Sequence, residues 1–118
     1  DHAVKMAQFV FETESTIPDD LAEQLDDYGG TARSILNRSA DVVLAGGDIE
    51  MAHRALRERD RLIETIEAAD KELYGYDDPH VAHTMGLLLD SVRRSAEYGA
   101  NIATIGIQQV LRQAESDE

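Results

Sequence analysis

Apolar residues recur along this chain at intervals of three and four, and a period-two alternation is never sustained. That is the spacing of helices with one buried face. An entry segment over residues 2–14 brings Val4, Met6, Ala7, Val10 and Phe11 towards one side. It ends at Ser15-Thr16-Ile17-Pro18, where Thr16 and Asp19 resemble a capping box and Pro18 suits a first helical turn. A first long helix is predicted over about 18–45, with Leu21, Leu25, Tyr28, Ala32, Ile35, Ser39 and Val42 as an unbroken seam. Gly29-Gly30 lies inside it and predicts weakening or a kink, because each glycine costs about 1 kcal/mol relative to alanine. Gly46-Gly47 marks its end.

A second helix is predicted from an N-cap at Asp48 to about Tyr74, with Ile49, Ala52, Leu56, Ile63, Ile66 and Leu73 on its seam and Arg59 and Asp70 interrupting it. Asp78 before Pro79 caps a third helix, expected over 79–113. Its seam starts with Val81, Met85, Leu88 and Val92, then turns small at Ala96, Gly99, Ala100, Ala103 and Gly106. Small side chains let a neighbouring backbone come close. A polar tail over 114–118 is expected to fray. Three helices, short connections and no strands predict an all-α fold, an up-down-up antiparallel three-helix bundle.

The chain has 118 residues, enough for one core. It contains no cysteine, which removes disulfides, thiolate metal sites and cysteine nucleophiles. No apolar run approaches the length needed to span a bilayer, and no signal-peptide pattern is present. Acidic residues outnumber basic ones 24 to 11, for a net charge of −13. Such a surface repels nucleic-acid phosphates and anionic lipids. With two lysines, Lys5 and Lys71, against nine arginines, the composition is that of proteins adapted to high salt, which screens acidic self-repulsion.

One motif occurs twice. Asp1-His2-Ala3-Val4-Lys5-Met6-Ala7 returns, 96 residues later, as Glu97-Tyr98-Gly99-Ala100-Asn101-Ile102-Ala103. The longer stretch, Ser91-Val92-Arg93-Arg94-Ser95-Ala96 followed by that second copy, resembles the third-helix motif of PhoU-type phosphate-uptake regulators. That family's pattern reads roughly Ser-Leu-Glu-Arg-Ile-Gly-Asp-His-Ala-x-Asn-Ile-Ala. Family members are tandem repeats of a three-helix bundle. The resemblance therefore implies that residues 1–14 end the last helix of one repeat and that 15–113 form the next. Together with the acidic composition it points to a haloarchaeal source.

The resemblance further implies a cytoplasmic, commonly dimeric regulator and no enzyme. Its partners would be the ATPase of the phosphate transporter or a signalling protein. Some family members bind iron or zinc clusters through acid-x-x-x-Asp motifs, whose two carboxylates lie one helical turn apart. Carried onto this chain, the second acid is Glu97, but the first falls at Arg93, whose cation opposes a metal. The acid expected on the second helix corresponds to Asp60 in Arg59-Asp60-Arg61-Leu62, and in the first copy to Asp1. Asp60, Glu97 and Asp1 are thus the candidate metal ligands. The competing reading makes Asp60, Arg93 and Glu97 an ion-pair network, with Arg93 and Glu97 four apart on one helix.

Other chemistry has little support. His80 and His83 have a zinc-compatible spacing beside Asp77 and Asp78, but also suit a solvated first turn. His53 reads as a surface or seam residue, and Asp19, Glu23 and Asp27 as solvated surface. There is no Gly-x-Ser-x-Gly turn and no phosphate-binding loop. Two rivals to phosphate regulation remain: a metal-binding helical bundle, and a dimerisation or sensor module of a transcription regulator.

Overall fold

The computed structural model describes residues 17–45 and 48–116. The entry segment with Asp1, the capping residue Thr16 and the Gly46-Gly47 stop lie outside the described residues. Among those described there are three α-helices and no strand: α1 (Asp19–Leu44), α2 (Ile49–Glu72) and α3 (Pro79–Ser116), with a 3-10 turn at Leu73–Gly75. All three helices pack on one another, and α1 against α3 is the most extensive pairing. The expected antiparallel three-helix bundle is the observed architecture.

Pro18 is the N-cap of α1 and not its first helical residue. Its carbonyl accepts hydrogen bonds from the backbone N–H groups of Leu21 and Ala22 at 3.1 and 3.0 Å. No side chain caps this end, but Asp19 and Asp20 place negative charge at the positive pole of the helix. Ile17, buried just ahead, pins the entry. The seam of α1 is as expected: Leu21, Leu25, Ala32, Ile35, Ser39 and Val42 are buried, and Tyr28 packs at the edge of the core. Gly29-Gly30 does not interrupt the helix. The apolar residues on both sides of the pair are held in the core, and tertiary burial outweighs a local cost of about 2 kcal/mol for the two glycines.

Asp48 caps α2 through its Oδ1, which accepts from the N–H groups of Glu50 and Met51 at 3.0 and 3.4 Å. The buried seam of α2 differs from the expected one. Ala52, Ala55, Leu62, Ile66 and Ala69 are buried, while Ile49, Leu56 and Ile63 are half-buried. Alanines occupy the line of closest approach and the larger aliphatics flank it, so the face is rotated towards the small residues. Helix α2 stops at Glu72 and tightens into the 3-10 turn, with buried Leu73 as its anchor.

Asp78 caps α3 as expected, its Oδ1 accepting from His80 N–H at 2.9 Å and its carbonyl from Ala82 N–H at 3.2 Å. The helix has 38 residues and continues through Ala114 to Ser116, beyond the expected end at Gln113. At 1.5 Å per residue it is about 57 Å long, which accounts for most of the 62 Å long axis of the molecule. Its small face lies directly against α1. A Cβ on Gly99 would stand 2.8 Å from Ile35 Cγ2 and 3.3 Å from the Leu36 backbone nitrogen. A Cβ on Gly106 would stand 2.6 Å from Val42 Cγ1. Gly99 facing Ile35 and Gly106 facing Val42 also show that α1 and α3 run in the same direction, as an up-down-up order requires.

Candidate functional site

The residues singled out from the sequence do not converge. Asp60 is exposed and its Oδ1 accepts from Arg59 Nε at 2.7 Å, its neighbour on the same helix. Glu97 is exposed and makes no ion pair among the described residues. Arg93 does not turn to Glu97. It donates from NH2 to Asp90 Oδ1 at 2.8 Å, one turn towards the N-terminus. Asp90 Oδ2 also takes Arg94 Nε at 3.0 Å, so one carboxylate bridges two guanidinium groups. The expected Asp60–Arg93–Glu97 network is therefore replaced by an Arg93–Asp90–Arg94 cluster. Asp90 lies three and four residues before the two arginines, the helical spacing that could have singled it out from sequence.

Arg93 is partly buried against α2, and its Nε is enclosed without a hydrogen-bond partner. Beside it a cleft of 190 Å3 opens between α2 and α3, lined by Ile66, Glu67, Asp70, Gly86, Leu89 and Asp90. Its carboxylates are spread along two helices. No group of three or more His, Cys, Asp or Glu side chains among the described residues is arranged to hold a metal ion. His53, His80 and His83 are all exposed. Asp1 lies outside the described residues, so the repeat-one half of the metal motif has no described geometry.

The larger concavity is apolar and was not foreseen from the sequence. Helices α1 and α3 enclose a groove of 350 Å3, with Leu25, Ala32 and Leu36 on one wall and Leu88 and Val92 on the other. Gly29, Ser91 and Ser95 complete its floor and sides, and Asp26 and Arg33 are its only charged lining residues. Along the same side of α3 the apolar surface continues onto exposed Leu87, Tyr98 and Ile105. Helical periodicity accounts for this placement, because 87, 91, 98 and 105 fall on one stripe of an α-helix. The groove is mainly apolar, with the Ser91 and Ser95 hydroxyls and the charges of Asp26 and Arg33 as its polar groups, a composition that suits a docking surface.

Among the described residues no helix is long and apolar enough to cross a membrane. Comparison with known protein families, with curated proteins and with solved structures finds no match to this chain.

Proposed function

We propose that this chain is a non-enzymatic regulator of phosphate transport and phosphate-responsive signalling, acting in the cytoplasm by binding other proteins. What supports the reading is the twice-occurring motif at Asp1–Ala7 and Glu97–Ala103, together with where the second copy lies. Its small members Gly99, Ala100 and Ala103 are buried where α3 packs into the bundle. The motif thus has an architectural job, bringing two helices close. The surface left over offers a groove for a partner. The proposed partner is the ATPase of a phosphate transporter or a phosphate-signalling protein. The acidic surface suits a cell interior rich in salt.

The test is an affinity capture from cells grown with abundant phosphate, using this chain as bait. Recovery of the transporter ATPase, lost on starvation for phosphate, is expected; capture of no phosphate-transport or phosphate-signalling component under either condition sinks the proposal. Metal content separates the rival reading. Purified protein is expected to contain no stoichiometric iron or zinc. Stoichiometric metal that disappears in Asp60→Asn or Glu97→Gln would instead make this a metal-binding bundle.

A further inference from the structure

We propose that residues 3–11 of this chain occupy the apolar groove between α1 and α3, doubling back along α1 from the corner at Pro18. The inference does not rest on the phosphate reading, and a partner that uses the same groove has to displace the segment.

The groove needs cover and the segment needs burial. Leu25, Leu36 and Val92 line the groove, and exposed Leu87 and Tyr98 adjoin it. Both phenylalanines of the chain, Phe9 and Phe11, lie within residues 3–11. At helical spacing positions 4, 7 and 11 share one face, and they are Val4, Ala7 and Phe11. Removing two apolar faces from water at once is the driving force for docking. The occupant is also close at hand. Tethered through Ser15 to Pro18, the segment is held at the groove at an effective concentration of about millimolar, whereas a second copy of net charge −13 is repelled.

Pro18 sets the direction. Its backbone is extended, at φ −59° and ψ 150°, so the chain that enters α1 does not run straight on from the helix axis. Ile17, just ahead, is buried and holds the corner against the bundle. The wall of α1 from Leu25 to Leu36 is about 18 Å long, and a helix over 2–14 would be about 20 Å. Doubling back lays Val4 beside Gly29, the glycine in the groove, where a Cβ would meet nothing within 4 Å. It also brings Lys5 towards Asp26 and Asp1 towards Arg33. Asp26 and Arg33 are the acid and the base of the groove, both exposed, and neither makes an ion pair among the described residues. The opposite direction would set Asp1 at Asp26 and Lys5 at Arg33, like charge against like. Apolar pattern, length and charge order thus agree on one arrangement.

The experiment is disulfide trapping in the whole chain, which has no cysteine of its own to interfere. Lys5→Cys combined with Asp26→Cys should close a disulfide within one chain under mild oxidation. It should do so at least about 10-fold faster than Lys5→Cys combined with Glu64→Cys, because Glu64 is exposed on α2 and outside the groove. Equal rates for the two pairs overturn the proposal. So does a disulfide of the first pair that joins two chains instead of closing within one. A second variant is free of disulfide geometry: Phe11→Trp introduces the only tryptophan of the chain. Its fluorescence should be shielded from acrylamide in the folded protein and become accessible in urea. A tryptophan at position 11 as accessible before unfolding as after it overturns the proposal as well.

Discussion

The same substitution, glycine to alanine, should have opposite effects at two positions of this bundle. At Gly30 a Cβ meets nothing within 4 Å, so the change only removes backbone freedom from the unfolded chain and improves helix propensity. A gain of about 1 kcal/mol is expected. At Gly99 the same propensity gain of about 1 kcal/mol is available, but the new methyl would sit 2.8 Å from Ile35 Cγ2 and 3.3 Å from the Leu36 nitrogen. Carbon atoms pack best at roughly 3.5–4.0 Å, so the Ile35 contact is short by about 1 Å. Ile35 is 0% exposed and has no free space to turn into, and the Leu36 nitrogen is backbone and cannot rotate away. The helices must part, which in a packed core costs about 1–3 kcal/mol and sometimes more. The net effect at Gly99 is a loss of up to about 2 kcal/mol, and the two variants should differ by about 1–3 kcal/mol. Urea unfolding followed by helical circular dichroism measures both, at one dilute protein concentration so that self-association does not enter. If Gly99→Ala proves as stable as Gly30→Ala, the close approach of α1 and α3 described above is wrong.

Two further outcomes are expected. Ser39 is fully buried and its Oγ has no hydrogen-bond partner, so Ser39→Ala should hold or raise stability by about 1 kcal/mol; a loss above about 1 kcal/mol in the same urea assay would reveal a partner for the hydroxyl. The net charge of −13 should make the melting temperature climb as sodium chloride is raised from about 0.05 M to about 1 M, where the Debye length falls to about 3 Å. A melting temperature that stays flat or falls over that range would count against acidic self-repulsion as a destabilising force here.

Which features were legible in the sequence follows from how local their causes are. The caps of α2 and α3 were, because Asp48 and Asp78 each bond to backbone N–H groups two or three residues on. The seam of α1 was, because an unbroken 4-3 spacing leaves a helix one face to bury. The small face of α3 was also legible as a close-approach surface, although the residues it approaches were not. In α2 the choice between neighbouring positions failed. Leu56 was expected on the seam and Ala55 lies there, because the separation of the helices, and not hydropathy, selects the residue at the contact line. Arg93 shows the same limit in charge: Glu97 and Asp90 are both within helical reach, and the guanidinium chose Asp90.

By itself the sequence determined the three helices found among the described residues, the caps of α2 and α3, the turn after α2 and the all-α class, since each follows from short-range hydrogen bonding or from a repeating pattern along the chain. It determined as well that Gly29-Gly30 weakens α1 locally, but not that the helix survives. Only the tertiary structure decided that, because the burial of Leu25, Ala32 and Ile35 around the pair is supplied by two other helices. Only the tertiary structure separated glycines that the bundle needs, at 99 and 106, from glycines that it does not, at 29 and 30. The difference is the presence or absence of a neighbouring helix at the Cβ position. That neighbour comes from a part of the chain more than sixty residues away, and nothing in the local pattern specifies it.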